Sequence, residues 1–219
     1  MRNQNLAPPK AAIRLQASDS LHRKGKDLGF SLVEVLVSIV VLSFGLLGMV
    51  GMQAAALKSN REARLQSSAV VLARELADML RGNKIESVLD LASGNPYLGS
   101  FNSAPLVATT PTYCLNVASG TTPCAIPPSH DIGNAQMTEW LARVDAELPG
   151  ARVNICFDTA PFDANGLPQW TCTAGTDGVI VIKIGWTISS TNRSLTGASA
   201  FERATRPSVV LPVTAGSST

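Results

Sequence analysis

Proline is missing from residue 10 to residue 95, and 11 of the 13 prolines in the chain follow residue 95. Proline removes a backbone donor and breaks helices. The early part therefore permits one long helix, while the later part reads as turns and strands. Aromatic residues make up 5% of the 219 residues, too few for a large aromatic nucleic-acid platform. The two histidines are His22 and His130. There is no P-loop and no dinucleotide fingerprint. The four cysteines lack the C-x-x-C spacing of a zinc site. No cofactor, no metal and no catalytic residue is expected.

The formal net charge of +2 is unevenly placed. Residues 1–29 hold six of the 18 Lys/Arg and two of the 16 Asp/Glu. The remainder has 12 basic and 14 acidic residues, so no general nucleic-acid-binding surface is indicated.

What is present is the run "GFSLVEVLVSIVVLSFGLLGMVGMQ", Gly29 to Gln53. Phe30 to Met52 is 23 residues with one charge, Glu34. As a helix it rises about 34 Å, enough to cross a hydrocarbon core of roughly 30 Å. A core helix of a soluble domain this size would be shorter. A secretory signal would carry a short apolar region and a small-residue cleavage site. Arg23, Lys24 and Lys26 precede the span, while Lys58, Arg61 and Arg64 follow at a greater distance with Glu62 among them. The positive-inside rule then places the N-terminus in the cytoplasm and the body outside.

Glu34 is the anomaly. A carboxylate at a membrane centre costs roughly 2.5–3.5 kcal/mol, and less near an edge. It can snorkel, become neutral or find a cationic partner. No Lys or Arg lies within the span. An amine would become available if the chain were cut before Phe30, since Glu34 would then be its fifth residue.

At this point the sequence resembles a family. "KGKDLG" followed by "FSLVEVLVSIVVLSFGLLG" is similar to the class III signal of type IV pilins and pseudopilins. The resemblance implies cleavage between Gly29 and Phe30 by a prepilin peptidase, N-methylation of Phe30, and an assembly role for Glu34. "FSLVE" stands where "FTLIE" is commoner. The longer match, continuing to "LKSNREARLQSSAVVLARELADMLRGN", resembles the PilV-like minor pilins. It covers about residues 24–83; residues 84–219 carry no resemblance.

The family implies a minor pilin of the type IV pilus that helps prime or modify assembly. Implied partners are other minor pilins, the major pilin, the prepilin peptidase and the inner-membrane assembly platform. The implied location is the inner membrane, single-pass with a periplasmic head, then the pilus fibre or tip. Adhesion and twitching motility would follow indirectly. Alternatives are a type II secretion minor pseudopilin and, from another class, a membrane-anchored periplasmic enzyme.

Gly45, Gly48 and Gly51 recur every three residues. Small residues let membrane helices approach closely, and each glycine weakens a helix by about 1 kcal/mol relative to alanine. Close packing and local melting are both open. The expected organisation is a cleaved leader at 1–29, a transmembrane segment at 30–52, an amphipathic continuation at 53–83 and a globular head at 84–219. In the continuation, Leu65, Ala69, Leu72, Leu76 and Met79 or Leu80 follow helical spacing, and "GN" is a helix stop.

In the head, residues 84–133 read as an irregular connection and 135–148 as a helix whose face is Met137, Trp140, Leu141, Val144 and Leu148. "RVNICF" and "VIVIKIGWTI" alternate as strands. "RPSVVLPV" reads as a weaker edge strand because of Pro207 and Pro212. The expected fold is α+β: a long N-terminal helix on a small antiparallel sheet, of type IV pilin-like form.

Outside the membrane, Cys114, Cys124, Cys156 and Cys172 are expected as disulfides. Four cysteines allow three connectivities. Cys114–Cys124 and Cys156–Cys172 are favoured because each pair brackets a short turn-rich loop. His130 beside Asp131 offers a triad fragment without a nucleophile motif. Asp158, Asp163 and Asn165 lack the order of a calcium loop, and "DANG" reads as a turn.

Overall fold

The computed structural model describes residues 29–91, 93–115, 123–126, 128–174, 178–190 and 194–214. The chain divides into two compact units, residues 1–51 and 52–219. The leader expected at 1–29 falls outside the described residues apart from Gly29.

In the first unit, the described residues form the opening of helix α1 (Leu32–Gly82). The backbone N–H groups of Glu34 and Val35 donate to Ser31 O, which starts the helix. Every residue from Gly29 to Gly51 is exposed. Ser38 Oγ donates to Glu34 O and Ser43 Oγ to Ile39 O, both at 2.7 Å. The hydroxyls of Ser38 and Ser43 are thus paired within the helix, which removes their need for water.

In the second unit, α1 becomes amphipathic. Ala69, Leu72, Ala73, Leu76, Ala77 and Leu80 are buried, at the three- and four-residue steps of one helix face. A short helix α2 (Lys84–Ser87) follows, then helix α3 (Ser129–Glu147). Strands β1 (Gly99–Phe101), β2 (Arg152–Asp158), β3 (Val179–Gly185) and β6 (Val209–Val213) form an antiparallel sheet in the order β1-β2-β3-β6. β4 (Thr187–Ser189) pairs with β5 (Phe201–Arg203) in a separate two-stranded sheet.

Register puts Val153 opposite Ile184 and Ile155 opposite Ile182, with Ile182 in turn opposite Leu211. These apolar side chains share one core with the buried face of α1 and with Met137, Trp140, Leu141 and Val144 of α3. Trp140 Nε1 donates to Leu72 O at 2.9 Å, so the indole polar atom is satisfied inside that core. The fold is the expected α+β arrangement of a long N-terminal apolar helix, a small antiparallel sheet and two disulfides, of type IV pilin-like architecture.

Three local readings differ. α3 starts at Ser129, six residues before the expected position. Gly133 sits within it, and a Cβ there would lie 2.5 Å from Pro96 Cγ, so tertiary packing favours glycine at this helical position. The connection at 84–133 holds α2 and β1, each too short to show a period. Finally, "VIVIKIGWTI" is two strands. At Gly185 a Cβ would lie 2.9 Å from Trp170 Cζ2. Beyond it Thr187 N donates to Pro149 O at 2.8 Å, and β4 takes β5 as its partner.

Candidate functional site

The first unit carries the chemically unusual residue. Glu34, Ser38 and Leu42 recur every four residues and therefore share a side of α1, and Phe30 lies two residues before its start. Stepping about 100° per residue, Gly45 and Gly48 fall within roughly 40° of Glu34, while Gly51 lies about 100° away. Glu34 is exposed, and no hydrogen bond or ion pair to its carboxylate occurs among the described residues. Phe30 is 83% exposed. A Cβ on Gly45, Gly48 or Gly51 would meet nothing within 4 Å. This side of the helix thus presents one carboxylate and two positions without side-chain bulk, unpartnered within the described chain.

The second unit holds the groups that could have been catalytic or metal-binding. His130 and Asp131 turn to different partners. His130 Nδ1 lies 3.0 Å from Glu86 Oε2. Asp131 Oδ2 accepts the backbone N–H of Ala125 at 2.7 Å. Ser129 Oγ also donates to Glu86, at 2.8 Å. Serine and histidine thus meet on the carboxylate, whereas a nucleophilic triad needs the serine on the imidazole. Asn83 and Gln136 hydrogen-bond the Tyr97 phenol beside this cluster. Burial pushes the Tyr97 pKa up. The cluster ties α2 to α3, and no periodicity in the sequence marks Glu86 as part of it.

Cys114 is bonded to Cys124, and Cys156 to Cys172. The bonded sulfurs of Cys156 and Cys172 beside Asp158 do not make a thiolate metal site. Asp163 accepts the N–H groups of Asn165 and Leu167 and an Arg206 hydrogen bond. Gly166 has φ +75°, so "DANG" is a turn. Backbone amides, chiefly that of Leu167, together with Arg206 hold the Asp163 pKa below the usual carboxylate value.

On the sheet face away from the helices, residues 159–174 cross over β2 and β3. Lys183 is fully buried there, with Nζ 2.5 Å from Asp158 Oδ2 and 2.7 Å from Thr171 O. Asn154 Nδ2 donates to Trp170 O at 2.8 Å, and Arg152 stacks over the Trp170 ring. The Cys156–Cys172 bond pins this segment to β2. These groups fix a loop and leave no open reactive atom.

Residues 24–50 match the family model of the prokaryotic N-terminal methylation motif. The matched segment contains Gly29, Phe30 and Glu34 and ends before Gly51. The motif is of the type IV pilin and pseudopilin kind, and it supports a structural subunit over an enzyme. No curated protein and no solved structure matches the chain.

Proposed function

We propose that this chain is a minor pilin of the type IV pilus. It is inserted with residues 30–52 across the inner membrane and the head, from residue 84 on, in the periplasm. Prepilin peptidase cuts between Gly29 and Phe30, and the Phe30 amine is methylated. The helix then passes from lipid into a bundle of similar helices through the assembly platform, joining other minor pilins and the major pilin. There Glu34 neutralises a subunit's N-terminal amine and sets register.

The observation that carries this reading is an apolar helix with no buried residue from Gly29 to Gly51, whose one charge sits five residues after Gly29 inside a methylation motif. Two unit charges 4 Å apart attract by about 1 kcal/mol in water and about 4 kcal/mol at an effective dielectric of 20. The pairing is therefore worth more in a bundle than at the cytoplasmic surface. Gly45 and Gly48, on the side of Glu34, would let a neighbouring helix come close.

The test is the mass and N-terminal sequence of the protein extracted from its own cells. A methylated phenylalanine start is expected, and an intact residue 1–29 segment in the working protein would overturn the reading. The motif match supports a type II secretion pseudopilin equally. Deletion decides between the two, since loss of piliation is expected here and loss of secretion with normal pili would assign the rival.

A further inference from the structure

Just beyond the apolar run, α1 and the small second sheet enclose a cleft of about 270 Å³. Lys58 and Arg61, three residues apart on one face of α1, line it with Leu57, Glu62, Ser189 and Phe201. Lys58 and Arg61 are exposed and take part in no ion pair among the described residues. Leu57 is 70% and Phe201 49% exposed. The cleft thus combines two free cations with apolar walls, and its one carboxylate, Glu62, leaves it net positive.

We propose that this cleft binds the headgroup of an anionic phospholipid. The inference rests on the reading of residues 30–52 as a membrane span. Lys58 stands six positions beyond Met52, a helix rise of about 9 Å. The headgroup layer adds roughly 5–7 Å to each side of the hydrocarbon core, and long cationic side chains reach back toward it. The volume lies just under the range of small-molecule pockets, about 300–1,000 Å³, which suits a headgroup and excludes a folded domain. Free phosphate would satisfy Lys58 and Arg61 but leave Leu57 and Phe201 in water. A lipid satisfies both, because its phosphate takes the cations and its glycerol and upper acyl carbons take the apolar walls. The bound lipid would fix how the second unit rests on the bilayer before assembly.

The test uses the full chain in vesicles of phosphatidylcholine alone and of phosphatidylcholine with phosphatidylglycerol. Amide hydrogen exchange is followed at residues 55–65 and 199–203. Each cation near an anionic surface strengthens association about fivefold, so the pair gives exchange slowed by up to roughly 30-fold in the anionic vesicles. The slowing should survive excess inorganic phosphate and vanish in Lys58→Glu/Arg61→Glu, with exchange in β2 and β3 unchanged as the sign of an intact fold. Equal exchange in both vesicles, or slowing retained in the double variant, overturns the proposal. Slowing that follows protein density whatever the lipid would assign the cleft to a second copy and also overturns it. Flotation separates the two levels. A chain that fails to float with either vesicle refutes the membrane reading itself, whereas a floating chain with equal exchange refutes the lipid site alone.

Discussion

Asp158→Asn should destabilise the second unit sharply while leaving its surface unchanged. The side chains of Asp158 and Lys183 are both fully buried. Asp158 Oδ1 accepts the N–H groups of Ala160 and Thr173, at 2.9 and 3.0 Å. Asparagine keeps the shape and one acceptor oxygen but removes the negative charge, leaving the Lys183 ammonium with Thr171 O and a long contact to Cys172 Sγ, and no counter-charge. Removing one partner of a buried pair costs about 3–5 kcal/mol. In a unit of this size 1 kcal/mol moves Tm by about 2–4 °C, so a fall of roughly 6–20 °C is expected. Lys183→Met should cost less, because the carboxylate left behind keeps two amide donors. The double variant should recover part of the Asp158→Asn loss, since an uncharged pair leaves no ion unpaired.

Acid supplies a second axis. Burial on its own would raise the Asp158 pKa, but the Lys183 hydrogen bond and the Thr173 and Ala160 amides outweigh it, so the folded value is depressed. A depressed value means the contribution is complete above the unfolded pKa, about 3.9, and is lost as pH falls through the folded one. The gap in Tm between the wild type and Asp158→Asn should therefore close on acidification below about pH 4. The assay is thermal unfolding of the full chain in detergent, read by near-ultraviolet circular dichroism from the buried Trp140 and Trp186. A loss under about 1 kcal/mol in Asp158→Asn, or a double variant no better than that single, would refute the compensated-pair argument.

Cys156→Ser/Cys172→Ser opens a loop of separation 16. Chain entropy sets the loss at about 3 kcal/mol, or roughly 6–12 °C, with faster hydrogen exchange expected at 159–174; an unchanged melt would count against the loop's dependence on that bond. Gly150→Ala places a Cβ against Thr187 Oγ1 at φ +58°. A loss of about 1–3 kcal/mol is expected in urea unfolding, and a neutral variant would show that the turn relaxes freely. Glu34→Ala should abolish assembly while leaving cleavage after Gly29 intact; normal surface piliation would contradict the proposed pairing.

The parts most legible in the sequence were those where one side chain in two or in three to four meets the core. Leu72, Leu76 and Leu80 announce the buried face of α1, and Val153 and Ile155 that of β2. Lys183 shows where such patterns stop informing. Alternation places it away from Ile182 and Ile184 and suggests water, yet a loop tied down by Cys172 covers it. A strand's period records which residues share a face, not what lies over that face. The available signal was Asp158, on the same face of the neighbouring strand as Cys156. Gly133 lies inside α3 for a related reason, since Pro96 occupies the space a Cβ would need. Glu34 was legible because it breaks a pattern, whereas Glu86 was not, because nothing around it has a pattern to break.

The apolar helix of the first unit poses a question that hydrophobicity alone does not answer. Lipid tails are as apolar as leucine, so moving such a helix from bilayer to bundle gains little from the hydrophobic effect. Ser38 and Ser43 contribute no preference either, because their hydroxyls are already paired to Glu34 O and Ile39 O. On the proposed reading the choice of environment falls to packing at Gly45 and Gly48 and to the single carboxylate of Glu34. Whether its charge or its hydrogen-bonding capacity matters can be separated. Glu34→Gln keeps length, shape and an acceptor oxygen but cannot neutralise an amine. If charge selects the bundle, Glu34→Gln should fail to assemble as completely as Glu34→Ala, while Glu34→Asp, with the charge drawn back by one methylene, should assemble in part. Fibres from Glu34→Gln at wild-type yield would assign the role to the hydrogen bond and remove the electrostatic basis of the register.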